Sequence, residues 1–93
     1  MATVTINLID GEFSIEDARE ILIDLINKKI QFHSLKSHEK WERSGTVDAN
    51  GHSRIKMLEE ARAQILELTN ANSSKESHLR ISSFIHISEL DGI

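Results

Sequence analysis

The chain has 93 residues, 39% of them apolar, 28% charged and 4% aromatic, with neither cysteine nor proline. That length suits one domain spanning residues 1–93, and the balance is that of a soluble globular chain rather than a disordered or membrane-spanning one. The missing cysteines exclude a disulfide framework, a Cys-ligated zinc site and thiol catalysis, while a net charge of −4 argues against a surface that grips nucleic acid all round.

The stretch "TVTINLI", residues 3 to 9, alternates Val4, Ile6 and Leu8 with Thr3, Thr5 and Asn7. This period of two predicts a strand with one buried face. Asp10–Gly11 reads as a turn, and Ser14 as the cap of a helix with Asp17 three positions on. From there Ile15, Ala18, Ile21, Leu22, Leu25 and Ile26 recur at helical spacing. The same face turns polar halfway along, at Lys29 and Lys36, so the helix either runs on to about Arg43 or bends between Lys28 and Gln31. Ser44–Gly45 provides its stop.

Residues 44 to 52, "SGTVDANGH", read as a loop, with Asp48 or Ser53 capping a second helix to about Asn70. Its apolar face carries Ile55, Leu58, Ile65, Leu66 and Thr69, widened by Ala61 and Leu68, with Arg62 near the centre, where snorkelling or pairing with a carboxylate is the common outcome. The Asn- and Ser-rich linker "NANSSKES", residues 70 to 77, ends that helix. A second alternating strand follows at residues 78 to 90, with Leu79, Ile81, Ile85 and Ile87 on one side.

The expected fold is therefore α+β: β-α-α-β, with an antiparallel helical hairpin packed on a two-stranded antiparallel sheet. Isolated two-stranded sheets are marginal in water and leave both edges unpaired. A helix of 30 residues spans about 45 Å and would overhang a strand of about 30 Å. Both points predict a homodimer that completes the sheet or the helices.

Charge is distributed along the chain in two blocks. Residues 10 to 24 hold six acidic side chains against Arg19, a net of −5, whereas residues 27 to 43 hold five basic against two acidic, a net of +3. Acids early and bases late in a helix complement its dipole, which accounts for part of this pattern. The second block also gathers aromatic and imidazole groups, and Lys28, Lys29, Phe32, His33, Lys36, Lys40, Trp41 and Arg43 are the candidate binding residues. Basic and aromatic side chains together anchor protein interfaces or hold a phosphate backbone while stacking bases. Glu39 and Glu42 among them repel phosphate, so a protein partner is the first reading and nucleic acid the alternative. For Trp41, folding back over the open end of the hairpin is the expected role.

The five histidines offer no metal-ligand spacing: His33 and His38 are five apart, which does not aim both at one ion, and no HExxH occurs. His33 falls on the apolar face, where an imidazole hydrogen-bonded to a carbonyl or carboxylate is expected. A pH-sensitive contact at a dimer seam is its sharper alternative. Neither a Gly-rich phosphate loop nor a Gly-x-Ser-x-Gly elbow is present. No cofactor, metal or enzymatic activity is expected. With no apolar run near the roughly 18 residues that cross a bilayer, no membrane role is expected and the expected compartment is the cytoplasm.

Residues 6 to 45 resemble a group of small uncharacterised bacterial proteins in which a strand with an IDG turn precedes an I-x-F-H-x-L-K segment and an ER-x-G loop. The matching residues here are Ile9, Asp10 and Gly11; Ile30, Phe32, His33, Leu35 and Lys36; and Glu42, Arg43 and Gly45. The resemblance implies a bacterial cytoplasmic setting and supplies no activity, ligand or partner to carry over. Together these readings point to a self-associating interaction module.

Overall fold

The computed structural model describes residues 2–71 and 77–91, which form strand β1 (Thr3–Ser14), helix α1 (Ile15–Ser44), helix α2 (Ala49–Ala71) and strand β2 (His78–Ser88). The class, the order and the antiparallel pairing of the two strands are as the sequence predicts. Residues 72–76 of the linker lie outside the described residues.

β1 does not turn at Asp10–Gly11. It continues to Ser14, with Gly11 opposite Ile81 and Phe13 opposite Leu79. The sequence signal misleads because Gly11 sits inside the ladder, paired with Ile81, where a Cβ would meet the Phe13 ring only at the ordinary contact distance of 3.6 Å. The irregularity lies earlier, where the register shifts between Asn7 and Ile9 and Leu8 is the extra residue of a bulge. A bulge resets the alternation of side chains. Val4 and Ile6 before it therefore share a face with Ile9 and Phe13 after it, and with Leu79, Ile81, Ile85 and Ile87 of β2. Oriented with its nitrogen toward the ladder, the Asn7 amide donates to the carbonyls of Ser83 (3.3 Å) and Ile9 (3.1 Å) across this bulge. The opposite face is polar apart from the exposed Phe84, with Arg80 Nη2 donating to Asp10 Oδ1 at 2.9 Å and Thr5 Oγ1 3.2 Å from His86 Nδ1.

The Ser14 hydroxyl accepts from the Asp17 amide (3.1 Å) and starts α1. The helix then runs unbroken for 30 residues and stops at Gly45, whose φ of 66° is the left-handed conformation that glycine adopts without strain. Asp48, not Ser53, caps α2, its Oδ1 accepting from the Gly51 amide at 3.0 Å.

Polar links at three levels of the hairpin give one register. Arg19 donates to Thr69 (2.9 Å), Arg62 to Asn27 (2.6 Å) and Ser37 to Asp48 (3.0 Å). In this register Ile30 stands opposite Leu58 and His33 opposite Ile55. On α2 the seam follows a seven-residue repeat through Gly51, Ile55, Leu58, Arg62, Ile65 and Thr69, the spacing that keeps one stripe against a neighbouring helix.

The layers touch less than the sequence suggests. The ribbon adjoins the start of α1, where Ile15, Ala18 and Ile81 are buried, and among the described residues no Cα of either strand comes within 8 Å of one in α2. The whole measures 51 × 33 × 14 Å with a radius of gyration of 16.9 Å, against about 12 Å for a compact chain of 93 residues.

Candidate interaction surface and the hairpin tip

Helix geometry sorts the candidate residues onto different sides of the hairpin. At about 100° per residue, Leu25, Lys29, Phe32 and Lys36 of α1 turn to the same side as Met57, Ala61 and Leu68 of α2. Phe32 is 51% exposed and sits between the ammonium groups of Lys29 (5.6 Å from the ring centre) and Lys36 (5.8 Å). Such cation–ring contacts at exposed sites are worth roughly 0.5–1 kcal/mol. Lys36 also pairs with Glu39 at 3.8 Å. Leu25, Met57 and Leu68 continue the exposed apolar surface toward the root of the hairpin.

His33 points inward. Its ring meets Phe32 edge-on at 5.4 Å, and its Nε2 is buried without a hydrogen-bond partner among the described residues. The carbonyl or carboxylate partner expected from the sequence is not there, because the register sets the apolar Ile55 opposite. Arg62 likewise pairs with the Asn27 amide oxygen rather than a carboxylate.

Trp41 lies on the other side. With Ser34, Ser37, His38, Thr46, Val47, Asp48, His52 and Ile55 it lines a cavity of about 310 Å³ at the hairpin tip. Trp41 does fold toward the open end of the hairpin, although 57% of it stays exposed. The Asp48 carboxylate is tied by the Gly51 amide and the Ser37 hydroxyl, with Lys40 and His52 nearby, and these hold its carboxyl below the ordinary value. Ser37 gives its proton to Asp48 directly, with no base between them. This is a cap and a tether for the tip, and not the nucleophile–base–orienter order that activates a serine. His38 pairs with Glu42 at 3.0 Å on the exposed surface.

The segment 28–43 is thus three environments and not one surface: Lys28, Lys29, Phe32 and Lys36 on or beside one face, His33 in the seam, and Trp41 at the tip cavity with Lys40 near Asp48. Arg43 is exposed in the last turn of α1. Sequence reasoning placed Ala61 and Leu68 as a widening of the inner face of α2 and missed that, with Met57, they form an outer stripe. The spacing of Met57, Ala61 and Leu68 is its signal, overlaid by the stronger repeat of the seam.

A third open surface is the far half of the ribbon, where Val4, Ile6, Ile85 and Ile87 share the apolar face and are 38–51% exposed. Among the described residues no group of three or more His, Cys, Asp or Glu could hold a metal ion, and no helix is long and apolar enough to cross a membrane. No protein-family model, curated protein or solved structure matches the chain.

Proposed function

We propose that the chain works as a self-associating interaction module, a homodimer whose two copies supply each other's missing layer, in the bacterial cytoplasm that its family resemblance suggests. The observation that carries this reading is the scarcity of buried apolar side chains: Ile15, Ala18 and Ile81 alone among the described residues. Ordering each residue's backbone costs about 1–2 kcal/mol, which burial must offset, and three side chains fall far short of that. Domains meet this requirement by packing two layers of secondary structure.

The surface points the same way. The chain exposes 7339 Å², against about 5,400 Å² for a compact monomer of its 10.5 kDa. Two copies that each hid the excess of roughly 1,900 Å² would bury an area in the range of obligate homodimers. Nucleic-acid contact through Lys28, Lys29, Lys36, Lys40, Trp41 and Arg43 has less support, since Trp41 and the Phe32 lysines face opposite sides. Sedimentation equilibrium of the full chain tests the proposal. A dimer at micromolar concentration is expected, and a folded monomer at tens of micromolar refutes it.

A further inference from the structure

We infer that the second copy adds to the outer edge of β2, antiparallel about a twofold axis at Ser83, so that the two ribbons become one four-stranded sheet. This inference rests on the self-association proposed above and adds the edge and the register.

The free edge follows from the ladder. Among the described residues the sheet has two strands, so each keeps one unpaired edge. Glu89 N donates to the Ala2 carbonyl at 2.9 Å, one step beyond the Thr3–Ser88 pair. Opposed residues in an antiparallel ladder alternate between pairs that exchange hydrogen bonds and pairs whose backbone groups turn away. The odd residues of β2 therefore bond to β1, and Arg80, Ser82, Phe84, His86 and Ser88 turn their amides and carbonyls outward. β2 carries no extra residue, so this alternation holds along all of it. The outer edge of β1 is the poorer template: the bulge at Leu8 breaks its spacing, and Asp10 and Glu12 stand at outward positions beyond it. Bulges and charges are devices that keep an edge from pairing.

β2 fits itself. An axis through a residue pairs odd with odd and even with even and keeps the apolar face continuous, whereas an axis between residues sets apolar against polar. β2 runs from His78 to Ser88, and an axis at its middle residue, Ser83, pairs its whole length. Leu79 then faces Ile87 of the other copy and Ile81 faces Ile85. The close central position, with Cα atoms about 4.5 Å apart, holds only the small Ser83 from each copy. A sheet of three or more strands also escapes the marginal stability of an isolated ribbon.

Two exposed features select a second copy over an unrelated strand. The start of α1 covers Ile81, which is 9% exposed, but leaves Ile85 and Ile87 at 38% and 51%. Antiparallel pairing sets the open half of each β2 beside the half that the other copy's α1 covers, so each helix start flanks the stretch its partner leaves bare. Phe84, 55% exposed, is the apolar exception on the polar face. In this register the two Phe84 residues fall on one diagonal, about 7–8 Å apart and within reach of aromatic side chains.

Amide exchange of the full chain, followed by NMR at a concentration where sedimentation equilibrium shows a dimer, tests the edge. Corrected for intrinsic rates, the amides of Ser82, Phe84 and His86 should exchange at least about tenfold more slowly than those of Thr5 and Glu12, which point outward from β1. Equal or faster exchange at the three would overturn the inference while leaving self-association standing. A monomeric wild type would instead remove the reading beneath it.

Because the chain has no cysteine, Ser83→Cys and Thr5→Cys read the register, with folding checked by circular dichroism. On mild oxidation Ser83→Cys should form a covalent dimer at least about tenfold faster than Thr5→Cys, since a residue on the axis meets its own copy within the Cα separation a disulfide accepts. Similar rates, or a faster Thr5→Cys, would refute the register.

Discussion

Replacing Thr69 with valine tests the account of the hairpin root most directly. Thr69 is fully buried, accepts from Arg19 Nε at 2.9 Å and returns its own proton to the Ile65 carbonyl at 2.8 Å. Valine keeps the shape and one methyl group but presents a second methyl to the guanidinium. The Ile65 carbonyl keeps its helical partner, so the loss falls on Arg19. Hydrogen bonds to charged groups contribute about 1.5–3 kcal/mol. Arg19 retains Nη2 on the Asn70 side chain at 3.0 Å and is partly exposed, which lets water reach it and places the cost near the lower end, about 1.5 kcal/mol. Urea unfolding followed by circular dichroism at one fixed protein concentration measures it. In an Arg19→Met background the same substitution should cost less than about 0.5 kcal/mol, since the partner is already gone. An equal cost in both backgrounds would show that Thr69 acts through packing and would refute the reasoning.

His33→Leu should stabilise the chain by about 1 kcal/mol, because it removes a buried nitrogen that has no partner among the described residues; unchanged or lower urea resistance would contradict this. Gly45→Ala should cost about 1 kcal/mol through its φ of 66°, read from the shift in the unfolding midpoint. Gly51→Ala puts a methyl against the Asp48 carboxylate and 2.7 Å from Ser37 Oγ. It should cost about 1–3 kcal/mol and speed amide exchange at the tip, and wild-type protection there would refute the close packing described. The Asp48 carboxyl is held below its ordinary value near 3.8, so its contribution is present above that value and is lost as pH falls through the folded one. Asp48→Asn should thus be less stable than wild type at neutral pH and converge with it in acid, whereas parallel stability curves would show the carboxylate to be idle.

The elements were legible in the sequence wherever a period met a cap. Ser14, Gly45 and Asp48 bound their helices as side-chain chemistry demands, and the two alternating stretches are the two strands. Asp10–Gly11 misled because local turn chemistry cannot reveal a partner strand: Gly11 stays extended once Ile81 pairs with it. Nor could the sequence show that a bulge at Leu8 brings Ile9 onto the face of Ile6, since alternation read without the partner puts them on opposite sides. At the candidate site, the lysines around Phe32 could be read from spacing along one helix. The separation of Trp41 from them could not, because it depends on which way α2 lies.

The links inside the hairpin are also the reason its stability has to come from elsewhere. Arg19–Thr69, Arg62–Asn27 and Ser37–Asp48 hold one register, and such polar pairs specify alignment while adding little net free energy, since each group gives up water to make its bond. A seam holding Gly51, Thr69, Ser37, His33 and Arg62 has given up apolar bulk for specificity. The bulk is present, but Phe32, Met57, Leu25 and Leu68 carry it on the outside. If the hairpin served only itself, exchanging the seam's polar residues for leucine and the outer stripe for lysine would improve it at no loss. The arrangement is the one expected if the second copy proposed above also covers the outer stripe.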